Sequence, residues 1–161
     1  MAGTRILEPR RTPQVRPAPE VRAEPIPIGR RPAYQAYRLL QAGFTVAPIA
    51  AGVDKFLHVL ANWDMYLAPP IEKILPISGH AFMLIVGVVE IIAGLLVAAV
   101  PRIGGFIVGA WLCGIVINLV IAGNFYDVAL RDIGLAVGAF ALGLLAREFG
   151  RPAPASETSA A

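Results

Sequence analysis

From Tyr34 onward the chain alternates long apolar runs with brief polar breaks. Four runs are long enough to cross a bilayer: residues 34–60, 79–100, 103–123 and 126–146. A helix covers the roughly 30 Å hydrocarbon layer with about 20 apolar residues. In lipid the backbone must bond within its own segment, so each run reads as a helix. Pro101-Arg102 and Asn124-Phe125 leave almost no connecting chain, and such short connections force neighbouring helices to run antiparallel. The pattern predicts an all-α integral membrane protein, an antiparallel four-helix transmembrane bundle over residues 34–148. The one long connection, residues 61–78, contains Trp63, Tyr66, Pro69, Pro70 and Pro76. Its aromatic and amphipathic mix predicts a segment lying at the membrane interface.

Composition agrees with a membrane assignment. Of 161 residues, 57% are hydrophobic and 16% charged, where soluble domains carry about 25% charge. Residues 1–33 are rich in proline and arginine and show no apolar period, so a disordered tail is expected there. No apolar stretch follows its basic residues, which argues against a secretory signal. Residues 149–161 read as a second disordered tail. Much of the net charge of +3 sits in the first tail, so no nucleic-acid-binding face is expected. The basic residues also predict orientation. With both termini cytoplasmic, the first tail, Arg38, Arg102, Arg147 and Arg151 all fall inside, and the long loop outside carries only Lys73. That is the positive-inside pattern of a bacterial-type plasma membrane protein.

Arg38, Arg102 and Arg147 then serve as rulers. At 1.5 Å per residue, Lys55, Asn118 and Arg131 each lie about 24–25 Å above the arginine of their own helix or hairpin. Glu90 lies about 18 Å above Arg102, within reach of a lysine stem. Helical spacing assigns inward faces to Gln41, Thr45, Gly52 and Lys55 on the first helix, and to His80, Met83, Gly87, Glu90 and Gly94 on the second. It assigns Gly104, Trp111, Gly114 and Asn118 to the third, flanked by Gly105 and Gly109, and Asp127, Arg131, Gly134 and Gly138 to the fourth. Small residues mark close helix approach in membranes.

Lys55, Glu90 and Arg131 are therefore expected to form one network, with Asp54, Asn118 and Asp132 nearby. Intramembrane ionisable groups are candidate sites for a ligand, a quinone or protons, and they also serve as ion pairs that fix helix register. His58 and His80 are the only histidines; they are read as interfacial hydrogen-bonders, with bis-histidine haem ligation the less favoured alternative. No metal-ligand set is expected. The single Cys113 excludes an intrachain disulfide and a cysteine-based zinc site. Walker loops, dinucleotide fingerprints and nucleophile elbows are absent from the sequence, so no self-contained soluble-type active site is expected.

Three motifs resemble the DoxX family of small four-helix membrane proteins. Ala51-Gly52-Val53-Asp54-Lys55-Phe56 is similar to that family's Gly-x-Asp-Lys signature. Gly87-Val88-Val89-Glu90-Ile91-Ile92-Ala93-Gly94 resembles its glutamate followed by glycine, and Ala129-Leu130-Arg131-Asp132 its Arg-Asp step. The resemblance covers residues 34–148. It implies a membrane subunit or partner of quinol- or thiosulfate-oxidising redox complexes, with Asp54, Lys55, Glu90, Arg131 and Asp132 at the matched positions. Two other functions fit the residues: an assembly protein without chemistry, and a carrier of protons or a small molecule.

Overall fold

The computed structural model describes residues 27–150. The first tail up to residue 26 and the second from residue 151 lie outside the described residues. Among the described residues the secondary structure is entirely helical. After a 3-10 turn at Ile28–Arg30, the helices are α1 (Pro32–Leu57), α2 (Pro69–Glu72), α3 (Gly79–Ala99), α4 (Pro101–Ala122) and α5 (Tyr126–Phe149). A further 3-10 turn, Trp63–Tyr66, lies between α1 and α2.

Local chemistry sets the ends. Proline opens α1 and α4, where its missing N–H costs no helical bond. The Ser78 side chain accepts the Ala81 N–H at the start of α3, the usual N-cap arrangement. Gly123 closes α4 in the left-handed conformation, at φ 78°, which glycine adopts without a Cβ penalty. As helices, the predicted segments match α1, α3, α4 and α5 to within a few residues at each end.

Close contacts give the packing order. A methyl group on Gly52 would sit 2.5 Å from the Gly87 carbonyl oxygen, and one on Gly94 would sit 2.7 Å from the Thr45 carbonyl. These contacts run α1 against α3 in opposite directions. Gly105 meets Ala139 and Gly143 in the same way, bringing α4 against α5. Gly104 backs onto Val97 across the α3–α4 turn. Phe44 packs over Gly138, and Tyr34 and Tyr37 meet Phe149, so α1 also runs antiparallel to α5. The buried core includes Tyr37, Ala93, Val97, Val108, Ala139, Leu142 and Ala146.

Three inward faces differ from the sequence expectation, the first being that of α3, where His80 is exposed. On α5 the buried residues are Ala129, Asp132, Ala136, Ala139, Leu142, Gly143 and Ala146, while Gly134 faces open space. Gly114 on α4 likewise has nothing within 4 Å of the place where a side-chain methyl would stand. Alanine is small enough to let helices approach, so on α5 an alanine row takes the place expected for the glycines. The Gly105–Gly109 pair, expected beside the α4 face, is itself buried against α5.

Helices α3, α4 and α5 are long and apolar enough to cross a membrane. Their outer surfaces carry large apolar side chains such as Ile92, Leu95, Ile117, Leu130 and Val137, each at least half exposed. Such a surface is stable against lipid and unstable against water. The chain is a membrane protein.

Candidate functional site

Lys55 and Glu90 meet. Lys55 lies in the last turn of α1, and Glu90 faces it from the middle of α3, brought within reach by the Gly52–Gly87 approach just beside it. Lys55 Nζ donates to Glu90 Oε2 at 2.5 Å, and the side chains are 2% and 9% exposed. Two charges removed from solvent remain tolerable when they are paired at hydrogen-bond distance. The ammonium also lies 3.8 Å from the centre of the Trp63 ring, a cation–π contact that covers the pair from the loop side.

The other long helices bring polar groups to the same place. The Trp111 indole on α4 is directed at the Glu90 carboxylate, and Asp132 on α5 lies near enough to act on it as a like charge. Trp111 Nε1 is buried. Trp111 also borders an apolar groove of about 340 Å³, lined by Val89, Ala93, Ile107 and Ala110 between α3 and α4. An apolar groove beside a buried ion pair has the character of a site for an apolar ligand.

Arg131 does not join Lys55 and Glu90. Its side chain is 65% exposed, and its Nε donates to Asp132 Oδ1 at 3.1 Å, with the Asp132 side chain 7% exposed. Axial rise fixes depth, but successive helical residues differ by about 100° in direction. Asp132 occupies the inward position and Arg131 extends outward beside it.

Asp54 and Asn118 hold the connecting loop. Asp54 accepts from the backbone N–H groups of Val59, Leu60 and Ala61 at 2.9–3.3 Å and from Trp63 Nε1 at 2.7 Å. Asn118 accepts from the Ala68 N–H at 3.0 Å and donates to the Tyr66 carbonyl at 2.6 Å. The loop is thereby drawn down over the helix ends, with Ala68 fully buried and Trp63 placed on Lys55. Neither Asp54 nor Asn118 bonds to Lys55 or Glu90.

His58 and His80 stack face to face, with ring centres 5.6 Å apart and planes 22° from parallel. Axial haem ligation needs a macrocycle between two ring nitrogens on opposite sides of one iron, and the stacked pair leaves no room for one between the rings. His80 Nδ1 instead lies 2.9 Å from Asp64 Oδ2. Sequence pattern does not single out Asp64, nor does it mark Trp63 and Trp111 as members of a polar site. The two tryptophans carry no periodic signal that separates them from packing residues, and Asp64 belongs to an aperiodic loop. Cys113 is exposed on the surface of α4.

No protein-family model, curated protein or solved structure matches this chain.

Proposed function

We propose that the protein is a membrane subunit or accessory partner of a quinone-linked redox complex, holding a quinone headgroup beside the Lys55–Glu90 pair. The observation that supports this reading is the convergence of Lys55, Glu90, Trp111 and Asp132, one from each long helix, next to the apolar groove that Trp111 borders. A quinone ring is apolar with two carbonyl acceptors. The groove would take the ring and its tail, with the Trp111 indole packed against the ring. The buried Lys55–Glu90 pair behind Trp111 would set the electrostatic environment of that headgroup, while protons and electrons pass to or from the partner protein. The proposal includes α1 as a fourth transmembrane span, since its outward Leu39, Val46 and Leu57 are well exposed. It also includes both termini on the cytoplasmic side of a bacterial-type plasma membrane. The DoxX-like motifs around Lys55, Glu90 and Arg131-Asp132 point the same way.

The test uses the full chain in lipid nanodiscs and its two tryptophans. Quinones quench indole fluorescence on contact. Titration with a ubiquinone or menaquinone should give a saturable quenching component that Trp111→Phe abolishes. Quenching that rises without saturation, and equally in both proteins, would reject the site. A second reading, in which the ion pair only fixes helix register, draws support from Asp54 and Asn118, whose polar groups hold the loop. That reading predicts the rejecting outcome together with a fully folded protein.

A further inference from the structure

We propose that His58, Asp64 and His80 form a binding site for a divalent first-row transition-metal ion of the zinc or copper class, at the end of the molecule where α1 stops and α3 starts. One donor atom from each of the three residues lies within 4.8 Å of the other two. Two imidazoles and a carboxylate are a ligand set that these ions favour, and three protein ligands leave room for water or a further ligand. A tetrahedral ion with bonds of about 2.1 Å sets its donors about 3.4 Å apart. Rotation of two exposed imidazoles about their side-chain bonds closes that difference. Asp64 holds the His80 ring through Oδ2, while its Oδ1 is buried without a hydrogen-bond partner. A buried acceptor left unpaired is costly, and turning the carboxylate onto an ion would relieve that cost.

The three ligands come from separately anchored segments. His58 ends α1 in the left-handed conformation, at φ 54°, and is the one described non-glycine residue with positive φ. Its N–H donates to the Asp54 carbonyl at 2.7 Å, and the Asp54 carboxylate holds the following residues. Glycine is the usual residue at such a helix end; here an imidazole occupies it, stacked on that of His80. His80 sits in the first turn of α3, fixed by the Ser78 cap. Asp64 belongs to the 3-10 turn, where its N–H donates to the Asn62 side chain at 3.3 Å. The three donors therefore stand close together on anchored segments, and little chain ordering is required on binding.

The test uses the full chain without an affinity tag, purified in detergent and freed of metal with a chelator. Zinc is titrated by calorimetry, and copper(II) is examined by electron paramagnetic resonance. The expected result is one zinc ion per chain, weakened at least tenfold in His80→Ala and in Asp64→Asn, and copper coupled to two imidazole nitrogens in the parent but one in His80→Ala. The chain has only two histidines, so an imidazole signal reports this pair. His80 is exposed and Asp64→Asn keeps the side-chain shape, so at least one variant keeps the fold, which helical circular dichroism verifies. Equal zinc affinity in parent and folded variants, or a copper signal without imidazole nitrogen, would overturn the site.

Discussion

Breaking the Lys55–Glu90 pair from either side should give unequal losses, because the two charges have different second partners. In Glu90→Gln the ammonium keeps the Trp63 face at 3.8 Å and gains an amide oxygen as a neutral acceptor. In Lys55→Met the Glu90 carboxylate keeps Trp111 beside it and stays near the like-charged Asp132. Leaving one member of a buried pair alone typically costs about 3–5 kcal/mol, and cation–π stabilisation offsets about 1–2 kcal/mol of that for the lysine. The expected losses are therefore about 2 kcal/mol for Glu90→Gln and about 3–4 kcal/mol for Lys55→Met. The carboxylate sets its own ceiling: it can take up a proton, which at pH 7 costs an ordinary glutamate about 3.7 kcal/mol. The double variant removes both charges, so it should be more stable than the sum of the singles predicts by about 2 kcal/mol or more. Unfolding of the four proteins in one mixed-micelle system measures all three quantities. Additive losses, or a larger loss for Glu90→Gln, would refute the pairing and the role of Trp63.

The other predictions concern packing, the loop and orientation. Gly52→Ala should destabilise by at least about 2 kcal/mol, since its methyl would meet the Gly87 carbonyl at 2.5 Å; Gly114→Ala, with open space around it, should be neutral or gain up to about 1 kcal/mol, both read from the same melts. Asp54→Ala should strand the N–H groups of Val59 and Leu60 and the Trp63 indole, costing about 2–3 kcal/mol and speeding amide exchange across residues 59–63. For orientation, a cysteine at Ile74, which is 82% exposed, in a Cys113→Ala background should react with an impermeant thiol reagent added outside intact cells; labelling only after lysis would reverse the topology.

The helices and the central pair were legible because lipid imposes simple rules. Apolar run length gave the four long helices, and axial arithmetic from Arg38 and Arg102 brought Lys55 to Glu90. Rotation about the axis was less legible. On α5, glycine at 134 and 138 and alanine at 136 and 139 are both small, so residue size alone did not choose the inward row, and Asp132 rather than Arg131 proved buried. The loop was least legible. Its Trp63, Asp64 and Tyr66 acquire roles only once Asp54 and Asn118 draw it over the helix ends, through hydrogen bonds between residues up to 52 positions apart. No local period encodes such contacts.

The most direct measurement is covalent capture of a photoreactive quinone by the full chain in native membranes, with the labelled residues located by peptide mass spectrometry. The account predicts labelling within residues 89–93 and 107–111, suppressed by excess natural quinone and reduced in Trp111→Phe. Labelling spread evenly over the outward faces of α3, α4 and α5, unaffected by competitor, would contradict it.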